Sequence, residues 1–492
     1  MKILFFIFIL IFSQILFSQE AQTEEPEENN DQELEEAAEP EQTNEQSIVA
    51  EEESAIEQEE PVVEQEEPSV AAEELSQLKE ELSSLKKEFL LLKETVSAEK
   101  ELKPEPELEP VSEDVPEKEE RKAVRIKPYG FVELYGYGND AQFLSNDLMV
   151  YVVDEDRSVF GMSARNTRLG LEISVPYIEK VDLSAIVEID FVGSLPDTGN
   201  AETSTGLRMR HAFFKASKTF SSDTTLALKA GQTWATAIIP IFPNMINPAG
   251  GWGAGNLWNR LPLAELELAQ KAGNFDLGLK GSVVKPITGT SANRRNFIEI
   301  NIDAGEASNW PSLQGQLYLK FKMPSIDVFW AAGGAYGRED YTSGVKVNNG
   351  DDILFGNEVE VWMFNTALKI VHKYAELQGK YFLGENLDMF GYFGGSVVKE
   401  NGIVTESMRA TGFWAELTMK PLNKLRLSVG MGSEYNDHEQ AVYNQNDVFW
   451  LSLFYTFFDH ITPGFQWQQV ITEKNSVKQT GNSYMGSLKF SF

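Results

Sequence analysis

The chain has 492 residues, no Cys, 31 Phe, 37 Gly and a formal net charge of -34. Without Cys there can be no disulfides, thiolate metal sites, Cys nucleophile or lipidated cysteine. Residues 1–122 hold about half of the 76 acidic residues and under a quarter of the 42 basic ones, so most of the charge sits in a leader and no basic nucleic-acid surface is expected.

Residues 1–19, MKILFFIFILIFSQILFSQ, have one Lys, an apolar run and then small polar residues around Ser18. That order reads as a cleaved secretory signal. An N-terminal membrane anchor is the rival, but Ile3 to Ile11 is too short to span a bilayer comfortably. Residues 20–72 are Glu, Gln, Pro and Ala with almost no aromatics, which predicts a disordered acidic spacer or tether.

The pattern changes over residues 73–102. Leu75, Leu78, Leu82, Leu85, Phe89, Leu92 and Val96 recur at alternating spacings of three and four, the seam of a short α-helical coiled coil. An amphipathic helix docked on its own barrel is the alternative. Pro104, Pro106 and Pro110 end the helix, and residues 103–127 read as a Pro/Glu-rich linker.

From residue 128 to 492 the chain reads as segments of about 8–12 residues with apolar side chains at every second position, the length of strands crossing a bilayer at a tilt. They fall near 128–138, 163–176, 180–192, 206–217, 223–232, 261–271, 274–284, 312–322, 325–337, 356–371, 373–383, 409–420, 423–433, 447–457, 461–472 and 482–492. Short joints such as 420–424 alternate with long polar loops such as 139–162, 233–260 and 384–408, which predicts an all-β transmembrane protein, an antiparallel outer-membrane β-barrel of about 16 strands. The alternating patch FIEINI at 297–302 is assigned to a loop, since a further strand would break the even count.

A secreted sandwich or β-helix is the rival fold. It would keep its outer face polar, whereas Phe449, Leu451, Leu453, Tyr455 and Phe457 form an apolar face along a whole strand. The last segment, GNSYMGSLKFSF, alternates in the same way and must pair with the first strand to close the barrel.

A barrel of this size encloses water, which makes diffusion of small hydrophilic solutes the default function. The inward parity offers Arg168, Glu172, Asp182, Glu188, Asp190, Arg208, Arg210, Lys229, Glu265 and Glu267 as pore-lining candidates. Leu207, Met209 and Phe213 set the lipid face of the fourth strand, which sends Arg208 and Arg210 inward together. Glu188 and Asp190 on the preceding strand either neutralise these arginines or leave a wall that selects organic anions. The third long loop, 233–260, contains Trp234, Trp252 and Trp258 before Arg260 and is expected to be folded, with the Trp residues as packing anchors; its similarity in position to the third long loop of general porins implies that it folds inward and constricts the pore. Its GWGAG lacks the strand-to-helix setting of a nucleotide loop.

KPYGFVELYGYGND at the first strand, NTRLGLEI at the second, LRMRHAFFKAS at the fourth and LKAGQTWAT entering the third loop resemble the DcaP-like porins. The resemblance implies a trimeric 16-stranded outer-membrane channel with a periplasmic N-terminal coiled coil, prominent lumenal arginines and uptake of small organic anions such as dicarboxylates. The chain departs from it in its long acidic leader and acidic barrel.

The expected partners are therefore outer-membrane lipid, two further copies of the chain, small solutes and, through the leader, the periplasm or cell wall. No cofactor or metal is expected. A structural anchor tethering the envelope through the coiled coil is the alternative function. An enzyme is not expected, because His211, His372, His438 and His460 are scattered and no triad motif accompanies them.

Overall fold

The computed structural model describes residues 124–492, apart from 179–180, 194–205, 222, 248–249, 288–302, 342–344, 347–352 and 402, together with Lys87, which is helical. The signal, acidic-segment, coiled-coil and linker assignments before residue 124 lie outside the described residues, Lys87 excepted. So does the 297–302 patch.

Sixteen strands form the barrel. They are β1 (Arg125–Asn139), β2 (Arg168–Ile178), β3 (Val181–Gly193), β4 (Gly206–Thr219), β5 (Thr224–Trp234), β6 (Arg260–Ala272), β7 (Phe275–Val284) and β8 (Ser312–Lys322). They continue with β9 (Ile326–Asp340), β10 (Glu358–His372), β11 (Ala375–Glu385), β12 (Arg409–Leu422), β13 (Leu425–Asn436), β14 (Gln445–Tyr455), β15 (Ile461–Lys474) and β16 (Val477–Ser491). Each pairs antiparallel with its sequence neighbours, and β16 pairs with β1 from Phe131↔Ser491 to Asn139↔Ser483, so no edge is left open. Beyond that ladder the Phe492 amide donates to the Gly130 carbonyl at 3.1 Å, and the Gly130 amide donates back to Phe492 at 3.2 Å.

Period-two alternation produces two faces. Leu451, Leu453 and Phe457 point outward with Leu488, Phe490 and Phe492, while Val448, Trp450 and Ser452 point inward and are buried. This is the inverse of a soluble protein: the outer band is apolar because its solvent is lipid.

Among the boundaries that differ from the sequence expectation, three change how the strands connect or begin. β1 begins at Arg125, inside the expected linker. Residues 159–163 form their own short strand on the upper half of β1, and β2 starts only at Arg168, where it takes over the lower half. The hairpin joining β15 and β16 closes on Asn475 and Ser476, both at positive φ, so both strands continue past the expected loop at 473–481. Two left-handed residues suit the twist of a two-residue hairpin.

Candidate functional site: the two walls of the lumen

The inner face of β2 to β6 carries the charged residues. Gly170 on β2 leaves a gap that the Tyr129 ring fills; a Cβ there would sit 2.3 Å from that ring. The Tyr129 hydroxyl donates to Glu188 Oε2 at 3.0 Å. Arg208 grips Asp190 with two parallel bonds, from Nε at 2.9 Å and Nη2 at 2.7 Å. Arg210 bridges both acids, its Nε 2.6 Å from Glu188 and its Nη1 2.7 Å from Asp190.

Arg168 lies 3.6 Å from Glu188 and over the Phe131 ring, and its Nε has no acceptor. The network thus joins five of the sequence-derived candidates, Arg168, Glu188, Arg210, Asp190 and Arg208, with Arg210 as the bridge between the two acids. Asp190 is fully buried, as befits a carboxylate that accepts from two guanidiniums.

The register explains why Arg210 reaches both acids. Opposite β3, Glu188 pairs with His211 but the next residue, Ile189, pairs with Met209, leaving Arg210 as the extra residue of a β-bulge. The bulge reverses parity along β4. Leu207 and Met209 face lipid before it and Phe214 after it. Phe213, expected on the lipid face, instead lies 6.1 Å from the His211 ring and under the Lys229 ammonium.

The bulge also brings in His211, which periodicity did not single out. Its Nδ1 is 3.0 Å from Thr233 and its Nε2 is 3.9 Å from Glu188. Further round the wall the charges pair one to one: Lys229 with Glu265 at 2.7 Å and Lys215 with Glu267 at 2.9 Å. Glu172 and Asp182 share the inward parity nearer the short-turn rim, where both are exposed.

The third long loop, residues 235–259, closes over this wall. At its two ends Trp234 and Trp258 meet at a tilt, 5.8 Å between ring centroids, Trp252 joins Trp258 at 4.4 Å, and Phe242 packs on Trp234 at 4.9 Å. Arg260 lies in this aromatic box with its guanidinium 4.5 Å from the Trp234 ring and 5.0 Å from Trp258. No carboxylate pairs with it among the described residues, and its Nη1 finds no acceptor. The expected loop residues therefore come together around a guanidinium that lacks an acidic partner.

From there the loop crosses to the opposite wall, where neutral and carboxylate side chains hold its backbone. Gln314 on β8 accepts from the Ala237 amide at 3.0 Å, and Gln378 on β11 donates to the Phe242 carbonyl at 3.0 Å. Glu416 on β12 accepts from the Asn244 amide and side chain at 2.9 and 2.7 Å and from Trp450 Nε1 at 2.9 Å. Glu434 on β13 accepts from the Gly255 amide at 3.0 Å, and Asn446 on β14 donates to the Gly253 carbonyl at 2.6 Å.

Tyr443, in the loop above, donates to the same Glu434; burial and that carboxylate push its hydroxyl well above its ordinary pKa, so it remains a donor. Glycines let the backbone lie this close. Gly255 has φ +83, and a Cβ there would meet the Phe413 carbonyl at 2.1 Å; one on Gly432 would meet Ala254 at 1.8 Å.

The first long loop joins the same packing, with Met149 and Val152 buried against Ile239, Ile241, Ile246 and Trp450. Sequence reading missed this wall. Its signal was available in the inward parity of β8 to β15, where Gln, Asn, Ser and Thr alternate with outward Leu and Phe.

A barrel of 16 antiparallel strands with an inward loop matches solved structures. The chain is similar to the outer-membrane channel DcaP of Acinetobacter baumannii at TM-score 0.57 and 16% identity, over 75% of this chain and 97% of that one. The barrel has a DcaP-like porin fold. An anion-selective porin from Comamonas acidovorans aligns at TM-score 0.46 and 9% identity, covering 75% of this chain and all of that one (100%), and OprB of Pseudomonas putida at 0.47 and 10%, covering 75% and 94%. No protein-family model matches the chain, and no curated protein does.

Proposed function

We propose that the chain is an outer-membrane porin, a water-filled channel for passive diffusion of small hydrophilic solutes, and that it favours small organic anions such as dicarboxylates. The observation carrying the anion preference is the charge balance around the aromatic box: Arg168, Arg208, Arg210 and Arg260 face only Glu188 and Asp190. Lys229–Glu265 and Lys215–Glu267 cancel pairwise and leave that balance unchanged. Arg208 and Arg210 are committed to carboxylates, so Arg260, held only by aromatic rings, and Arg168, 3.6 Å from Glu188, are the guanidiniums left to meet a passing carboxylate.

The solute path follows the β2–β6 wall, since loop 235–259 is bound to the other. In this reading the short-turn rim and the N-terminal segment are periplasmic, the chain assembles as a homotrimer, and residues before 124 reach toward the periplasm or cell wall.

Planar-bilayer recording of the full chain under a KCl gradient tests both parts. The expected result is an open channel with an anion-selective reversal potential and block by a short aliphatic dicarboxylate. A cation-selective reversal potential would remove the anion preference, and absence of conductance would remove the channel.

A further inference from the structure

At the long-loop rim, away from the charged wall, three side chains meet whose chemistry the channel reading leaves unused. Glu339 sits one residue before the end of β9 and is completely buried. Asn386, just past β11, is also completely buried. Asp388 follows two residues later in a short helical turn, its carboxyl within hydrogen-bonding reach of that of Glu339. Tyr341 donates to Glu339 Oε2 at 2.7 Å and Asn386 Nδ2 donates to the same oxygen at 2.6 Å.

Those two bonds leave the other oxygens unanswered. Glu339 Oε1 and Asn386 Oδ1 are buried and find no donor. Each belongs to a planar group anchored at Glu339 Oε2, so both oxygens lie within a few ångström of that atom. No Lys or Arg forms an ion pair with Glu339 among the described residues, and the Asp303 carboxyl adds further negative charge nearby. Two carboxylates in contact repel unless a proton or a cation lies between them, and a buried acceptor without a donor is destabilising.

We propose that Glu339, Asp388 and Asn386 form a calcium site that fastens the loop after β9 to the loop after β11 at the long-loop rim. Every ligand is a hard oxygen, which suits Ca²⁺ or Mg²⁺ rather than a transition metal, and Ca²⁺ tolerates the irregular set that two carboxylates, one amide and added waters or carbonyls would give. Only two acidic side chains take part, so no group of three His, Asp or Glu marks the site among the described residues. The sequence reading, which expected no metal, had no spacing signal to use: the ligands come from two loop junctions 47 residues apart.

The test uses the full chain refolded into detergent without lipopolysaccharide and stripped with a chelator. Tb³⁺ is the probe, because Tyr341 touches Glu339 and can sensitise its luminescence. The expected result is a saturable signal displaced by Ca²⁺, and a thermal midpoint that rises with Ca²⁺. Glu339→Gln combined with Asp388→Asn should abolish both while the folded barrel stays heat-modifiable.

Tyr341→Phe should lose most of the luminescence and keep the Ca²⁺-dependent midpoint. Asn386→Asp, which adds a third carboxylate, should bind Ca²⁺ roughly tenfold more tightly, and it decides the matter if the double variant does not fold. A midpoint in the unaltered protein that responds to pH but not to Ca²⁺ would mean that a proton bridges the pair, and would overturn the proposal. So would a Tb³⁺ signal unchanged in the double variant, or Ca²⁺ binding no tighter in Asn386→Asp.

Discussion

On the β2–β6 wall the inward Arg, Lys, Glu and Asp pair with one another, whereas on β8–β15 the same parity mixes Gln, Asn, Ser and Thr with buried charges such as Lys380, Glu416 and Glu434 that bond to the loop instead. The first wall bonds to itself. Its guanidiniums and carboxylates are side chains on neighbouring strands, and the loop touches it mainly through the aromatic box and Thr236, which donates to Glu265 at 2.6 Å. The second wall bonds to the loop, whose backbone needs donors and acceptors of both kinds. One lumen is thus divided between a side that positions charge and a side that anchors chain.

The division can be broken most severely at the loop. Removing residues 238–255 should raise single-channel conductance severalfold while leaving heat-modifiable barrel at normal yield, because the strands close without it. Conductance unchanged by the deletion would mean that the loop does not partition the lumen.

A milder break uses its closest approach to the wall. Gly255→Val places a branched side chain at φ +83 against the Phe413 backbone, a conflict of about 2–3 kcal/mol. The expected outcome is faster proteolytic nicking within 235–259 and frequent high-conductance openings, with strand content by circular dichroism preserved.

On the charged wall, Arg260→Gln should weaken dicarboxylate block roughly tenfold, the scale of one charge-assisted hydrogen bond. Concentration–block curves in bilayers read this directly. The smallest effect sharpens the comparison further. Arg208→Gln combined with Asp190→Asn removes a matched pair and should leave the reversal potential almost where it was, whereas Arg208→Gln alone should move it toward cations. An equal shift in both would show that Arg208 acts as a free charge despite its two bonds to Asp190.

The strands were legible because lipid imposes one rule on every one of them. Leu169 and Leu171 on β2, or Leu451 and Leu453 on β14, must face out, and a period of two follows. Parity also placed Arg208 and Arg210 inside, and it brought Glu188 and Asp190 to the strand beside them.

What parity cannot register is a change of phase. Nothing local in LRMRHAFF marks Arg210 as the extra residue, so Phe213 was given the wrong face and His211 was passed over. The hairpin at Asn475–Ser476 was missed because polar residues on both sides of it resemble a loop until their pairing is seen. Loop 235–259 announced its packing through Trp, Pro and Gly, but its partners lie as far as 220 residues away, between Ile246 and Gln466, beyond any local pattern.

The extra residue in β4 bears on how the barrel is assembled as well as on what it holds. A plain alternating strand slid by two positions against its neighbour keeps every side chain on its proper face, so sliding errors of that kind carry little penalty. β4 carries a further constraint, because its lipid-facing residues change from odd to even at Arg210 while β3 stays in phase. A ladder formed without the extra residue at Arg210 sends an Arg or a Lys of β4 toward hydrocarbon, at about 2–4 kcal/mol for a basic residue at mid-depth, or draws Phe214 into water. The bulge therefore acts as a key for the β3–β4 hairpin, one that a plain alternating ladder does not turn, and neighbouring strands that add to this hairpin inherit the face it has chosen on each side of Arg210.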